Sequence, residues 1–176
     1  KTVIWSTLAL PATPRERRLA AELAADPDHL IEAGDMSAVW SRAPAPFVAG
    51  PLLNVYNARA AAELARLGCV RLCANVELPL NSLARIAKAC PGLKLELFAF
   101  GRLPLALSSR CAQARIEGLH RDACRYVCDR HPDGMDVATI EGQDFLAVNG
   151  LQTLSHGCQL VDVPVEALKG AGVWCQ

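Results

Sequence analysis

Apolar runs of strand length alternate with capped helical segments through the first hundred residues, and this rhythm constrains the fold more than any other feature. Residues 3–10 read as a buried strand, and Thr13-Pro14-Arg15-Glu16 reads as a helix start. Thr13 caps, Pro14 takes the first helical position, and Glu16 can reach back to the cap. Leu19, Ala20 and Leu23 then share a face. His29 to Glu32 reads as a second strand closed by Gly34, and Pro46 to Gly50 as a third. Asn57 caps a helix bearing Ala60, Ala61, Leu64 and Leu67, stopped by Gly68. Val70 to Val76 is a fourth strand. Pro79 opens a helix with Leu80, Leu83, Ala87 and Cys90 inward, ended by Pro91-Gly92. Leu93, Leu95 and Leu97 alternate with Lys94 and Glu96 in a fifth strand.

Crossovers of helical length join parallel strands. The expected class is therefore α/β with a parallel sheet, either a barrel or an open doubly wound sheet. No G-x-G-x-x-G follows the first strand, so a dinucleotide fold has no support. In a TIM-like barrel the residues just after each strand form the active face. Here those are the Leu53-Asn54-Val55-Tyr56-Asn57 turn, Glu77, and Gly101-Arg102.

Residues 101–160 break the rhythm. This segment holds Arg102, Arg110, Arg115, Arg121, Arg125 and Arg130, and the cysteines Cys111, Cys124 and Cys128 in a C-x12-C-x3-C pattern. Val137 to Ile140 and Phe145 to Val148 flank Glu141-Gly142-Gln143-Asp144, the pattern of a β-hairpin. An excursion this long is usually functional. Val161-Asp162-Val163 resumes the strand pattern, and Pro164 starts a short helix ending near Gly170. Residues 1–176 are expected to form one partial α/β domain, barrel or open sheet, that includes the Cys/Arg-rich excursion at 101–160.

The bulk numbers narrow the classes. The chain has 176 residues, 52% of them apolar, which is enough for a core and excludes disorder. The 18 basic and 18 acidic residues cancel, which argues against an extended nucleic-acid face. Eight cysteines in a long Leu- and Ala-rich chain do not resemble a short secreted disulfide scaffold. The opening apolar run is too short for a membrane span, and a cytoplasmic location is expected. The start at Lys1 and the apolar end Val173-Trp174-Cys175-Gln176 suggest a piece of a longer protein, truncated at both ends.

Three closely spaced thiols in a polar, Arg-rich segment point to a metal or an iron–sulfur cluster. Zinc would accept His120 or His131 as fourth ligand, whereas a cluster would want a fourth thiolate. Spacing alone does not choose, and buried reduced thiols remain the plain alternative. The arginines could offset a negative cluster, bind an anionic substrate, or simply face water. Cys73 and Cys90 read as core, and Cys158 is a local candidate for a fourth ligand. There is no G-x-S-x-G and no H-E-x-x-H, and the adjacent side chains of Ser155 and His156 diverge in an extended segment. The residues alone name no catalytic group.

The stretch from Glu96 to Leu154, with FGRLPLALS before the cysteines and QDFLAVNG after them, resembles UbiV-type proteins of the collagenase-like peptidase superfamily. The upstream GPLLNVYN and NVELPL are similar to the same family. The resemblance implies a TIM-like barrel and a 4Fe-4S cluster. It also implies a homologous UbiU-like partner in a heterodimer, and oxygen-independent hydroxylation in ubiquinone biosynthesis. Prephenate is implied as the anionic oxygen donor, and a lipid-carrier accessory protein as a further partner. It maps three cluster ligands onto Cys111, Cys124 and Cys128, with the fourth upstream of this chain. The resemblance thus favours a hydroxylase subunit over a peptidase. The other readings kept open are an RNA hydroxylation factor of the same superfamily, a collagenase-like peptidase, and a structural zinc module.

Overall fold

A computed structural model describes residues 3–173. Trp174 and Cys175 of the apolar ending lie outside the described residues. The chain divides into two compact units. The first runs up to Phe98 and resumes at Asp162; the second is Ala99–Val161.

The first unit is an α/β structure with a five-stranded parallel sheet in the order β1-β2-β3-β4-β5. The strands are β1 (Ile4–Ser6), β2 (Leu30–Ala33), β3 (Phe47–Ala49), β4 (Cys69–Cys73) and β5 (Lys94–Glu96). Between them run α1 (Pro14–Ala24), α2 (Met36–Arg42), α3 (Ala58–Arg66) and α4 (Leu80–Ala89), with α6 (Val165–Gly170) near the end. Strictly sequential order distinguishes this sheet from a doubly wound one, whose strand order reverses. Right-handed crossovers in sequential order put every connecting helix on one face. Among the described residues the sheet stays open, with β1 and β5 at its edges.

Local chemistry explains the helix starts. Thr13 and Glu16 form the expected capping box, with Glu16 N donating to Thr13 Oγ1 at 3.2 Å and Thr13 N to Glu16 Oε2 at 2.9 Å. Asn57 Oδ1 accepts from Ala60 N at 3.0 Å and starts α3. The sequence pattern missed α2. Gly34 reads as a stop, yet Asp35 behind it is an N-cap, accepting from Ala38 N at 3.0 Å. Helix α2 places Arg42 in the interior, 9% exposed. Its guanidinium donates to the carbonyls of Pro46 at 3.1 Å, Ala24 at 3.3 Å, His29 at 3.0 Å, and Asp26. Arg42 thus satisfies acceptors where α1 ends, which would otherwise be stranded beneath the helix layer.

Alternation along the strands divides the sheet into two different faces. Ala33, Ala49, Leu72 and Leu95 are register neighbours and fully buried, together with Ile31 and Phe47. They form the core with Ala61, Leu64 and Ile86 of the helices. Ser6, Glu32, Arg71, Cys73 and Glu96 occupy the opposite face.

The first strand is shorter than residues 3–10. It ends where Thr7 turns its hydroxyl to accept from Gly34 N at 2.8 Å. The strand pattern at Val161 to Val163 does not resume the sheet, because Pro164 brings no amide hydrogen to a ladder. Val173 instead makes a parallel bridge to Leu95.

The second unit is a four-stranded antiparallel sheet in the order β6-β9-β8-β7. Its strands are β6 (Phe100–Leu107), β7 (Met135–Ala138), β8 (Asp144–Asn149) and β9 (Gln152–Leu160), with the one-turn helix α5 (Ala112–Ile116) after β6. The expected hairpin is β7–β8, with Ile140 in its fully exposed loop rather than in a strand. Gly101 and Arg102 belong to β6 here, not to a loop after the fifth parallel strand. Pro104 has no amide hydrogen to give a ladder, and β6 accommodates it where the register to β9 shifts. Val161 N donates to Ala99 O at 2.9 Å, so the unit's two ends meet.

Candidate functional site

Two of the three cysteines are tied to α5. Cys111 is its N-cap, and Cys111 Sγ accepts from Ala114 N at 3.4 Å. Helix α5 is fastened by Gln113, 2% exposed, whose Oε1 accepts from Gly150 N at 2.5 Å. Ser108 N donates to Leu151 O at 2.9 Å, so Cys111 starts from the β8–β9 turn. Cys128 lies in a 3-10 turn, Val127–Arg130, that packs on α5. Cys124 ends another, Arg121–Ala123. Arg125 and Tyr126 between them are both left-handed, with φ of 53° and 55°. Two adjacent non-glycine residues in that region make a sharp, costly bend. All three thiols are free and half-buried.

Arginines brace this loop. Arg121 Nη1 donates to Ser109 O at 3.2 Å, and Arg130 Nη1 pairs with Glu117 Oε2 at 3.1 Å. Arg102 instead donates to Ser155 O at 3.2 Å, far along the sheet from the thiols. His120 Nδ1 stands 3.5 Å from Asp122 N as the cap of its own turn. Cys158 does not supply a local fourth thiol. It sits toward the far end of β9 from the β8–β9 turn, six residues beyond Gln152, on the order of 20 Å along an extended strand. Among the described residues, no group of three or more His, Cys, Asp or Glu side chains is arranged to hold a metal ion. In this conformation Cys111, Cys124 and Cys128 offer soft donors from one small unit without a closed ligand set.

The strand-end residues of the first unit do come together. Asn54 adopts a left-handed conformation, φ 56°, and its Oδ1 accepts from Asn75 Nδ2 at 3.2 Å. Asn75 Oδ1 accepts from Glu77 N at 2.9 Å, and Tyr56 OH donates to Glu77 Oε2 at 2.9 Å. The Glu77 carboxylate holds the Tyr56 proton and raises its pKa above the ordinary phenol value. Asn75 was missed in the sequence, where nothing but its place after β4 sets it apart.

The helix-free face below this collar is charged. Arg71 Nη1 pairs with Glu96 Oε1 at 3.0 Å, and Ser6 Oγ donates to Glu32 Oε1 at 3.0 Å. Gly50 makes room, since a Cβ there would stand 3.2 Å from Glu32 Oε1. Cys73, read in the sequence as a core residue, lies on this face. Burial, then the nearby Glu32 and Glu96 carboxylates, push its thiol up to about 12. It is therefore an inert thiol at neutral pH.

Residues 28–173, spanning both units, match the family model of peptidase family U32. The chain belongs to peptidase family U32. No solved structure matches it. Among the described residues, the strand-end collar and charged sheet face of this U32 chain show no nucleophile–base pair in which a hydroxyl or thiol meets an imidazole. Among the described residues no helix is long and apolar enough to cross a membrane.

Proposed function

We propose that this U32 chain is the cluster-binding subunit of an oxygen-independent hydroxylation system in ubiquinone biosynthesis, working in the cytoplasm with a homologous UbiU-like partner. The observation that carries this reading is the C-x12-C-x3-C set, Cys111, Cys124 and Cys128, free and half-buried within one small unit. The segments flanking it support the reading through their likeness to UbiV-type proteins. A bound 4Fe-4S cluster supplies one-electron chemistry. The fourth ligand would come from sequence upstream of this chain. Cys111 is held by its capping bond, and Cys124 and Cys128 by the left-handed turn at Arg125 and Tyr126. Asn54, Tyr56, Asn75 and Glu77 present hydrogen-bonding groups at strand ends, where a TIM-like barrel binds its substrates. Sequential parallel strands are how such a barrel begins. The anionic oxygen donor, of which prephenate is the example, would bind at such strand ends with arginines offsetting its charge, and a lipid-carrier protein would present the quinone precursor.

Anaerobic purification of the full-length protein tests the reading. The expected product is brown and contains iron and acid-labile sulfide. Cys124→Ala should lose both and abolish quinone synthesis without oxygen, while aerobic synthesis continues. A colourless protein with stoichiometric zinc would replace this reading with a structural zinc module. Loss of an RNA modification alone would replace it with RNA hydroxylation.

A further inference from the structure

The two units bury very unequal cores. Both clusters of packed, buried side chains lie wholly in the first unit, where Ile31, Phe47, Leu72, Ile86 and Leu95 are closed off from water. Among the described residues, the buried apolar side chains of Ala99–Val161 are Ala114, Val127 and Ala147, none larger than valine. Phe100, Leu105, Ile116, Phe145 and Leu160 are exposed, so the bulky apolar groups of this unit add little to a core. Apolar burial is the dominant favourable term in folding, and here it is scarce. Strand ladders replace little of it, because each hydrogen bond in the sheet is exchanged for one to water.

The same unit carries features that cost free energy. Arg125 and Tyr126, between Cys124 and Cys128, are both left-handed. Gln113 Nε2 is buried without a hydrogen-bond partner. Small units with thin cores are held by disulfides, by a structural metal or by a partner chain. Cys111, Cys124, Cys128 and Cys158 are all free thiols, so no disulfide cross-links this unit. Its remaining means is the thiol set. Cys111 starts α5, Cys128 sits in the turn packed on that helix, and Cys124 precedes the bend. Thiolates are soft donors suited to zinc and to iron–sulfur clusters. Where folding is what gathers the ligands, the free energy of metal binding becomes free energy of folding.

We propose that the second unit takes its fold from Cys111, Cys124 and Cys128 closing on a thiophilic metal, while the first unit folds on its apolar core without it. The inference rests on the proposed function only in that these thiols hold a metal. It is the same for a cluster and for zinc, and it is independent of the hydroxylation.

The test is amide hydrogen exchange, read by mass spectrometry on the full-length protein purified without oxygen, before and after metal removal by a chelator. Without metal, amides of residues 99–161 should exchange roughly a hundredfold faster, while those of Leu30–Ala33, Phe47–Ala49 and Cys69–Cys73 keep their protection. Ferrous iron with sulfide, or zinc where the isolated protein holds zinc, should restore protection. Cys124→Ala should leave residues 99–161 unprotected after the same addition, whereas Cys158→Ala should match wild type. Unchanged protection after metal removal overturns the proposal, and so does loss in both units together or protection that no added metal restores. Metal-dependent protection in a zinc protein would overturn the cluster reading alone. Unchanged protection in an iron protein would overturn this inference alone.

Discussion

Gln113 and Gly150 are joined by a hydrogen bond of 2.5 Å from the Gly150 amide to the buried side-chain oxygen. That contact ties the helix begun by Cys111 to the turn between β8 and β9. The two residues are 37 positions apart, so one amide side chain fixes where the first candidate ligand stands.

Gln113→Leu should destabilise the second unit by about 1–3 kcal/mol, because the Gly150 amide loses its acceptor while the leucine fills the space. Urea unfolding followed by a fluorophore placed in the second unit measures it. A midpoint equal to wild type would mean that the contact contributes nothing.

Arg42→Met should cost about 3 kcal/mol, since several buried carbonyls lose a charged donor at once. The denaturant midpoint should fall without a change in slope. A loss below about 0.5 kcal/mol would show that water replaces the guanidinium.

Gly68→Ala should be more damaging than its size suggests. Gly68 has φ of 109°, and a Cβ there would stand 2.6 Å from the Pro44 carbonyl oxygen. Roughly 2 kcal/mol or more is expected. Differential scanning calorimetry reads this as a lower Tm, and an unchanged Tm would contradict the close approach.

Alkaline pH should weaken the first unit. Burial pushes Cys69 up to about 11, and burial with Glu32 and Glu96 pushes Cys73 up to about 12, from an ordinary 9.0. The folded chain keeps protons that the unfolded chain releases. This contribution is whole below pH 9 and is lost as pH rises through 11 to 12. Stability measured across that window should fall, and a Cys69→Ala, Cys73→Ala protein should fall less. Parallel curves for the two proteins would exclude the thiols as the cause.

Tyr56→Phe separates stability from function at the strand ends. Tyr56 is exposed, so the unfolding free energy should stay within about 0.5 kcal/mol of wild type. Anaerobic quinone synthesis should fall severalfold if the collar contacts the oxygen donor. Unimpaired synthesis would remove Tyr56 from that role.

Local signals were legible where one short segment settles the outcome. Thr13 with Glu16, and Asn57 with Ala60, announced their helices because capping is a contact between near neighbours. The parallel sheet followed from the crossover lengths. Helix α2 was hidden because Gly34 reads as a stop while Asp35 behind it is a start. Strands β6 and β9 were hidden by Pro104 and by the polar run Gln152–Leu160, whose partners lie some fifty residues away. The spacing of Cys111, Cys124 and Cys128 was plain. Their positions depend on Gln113, Gly150 and two left-handed residues that no spacing rule reveals. The pairs Asn54–Asn75 and Tyr56–Glu77 each span 21 positions and become neighbours only through the sheet.

The bond between Val161 and Ala99 has a consequence for how the chain tolerates change. A segment whose entrance and exit meet behaves as a cassette. A change in its length need not alter the order of the parallel strands, since the host chain leaves and returns at one point. Cys111, Cys124 and Cys128 lie on that cassette, whereas the strand-end collar belongs to the host. Substitutions around the three thiols and substitutions in the parallel sheet should therefore affect stability independently.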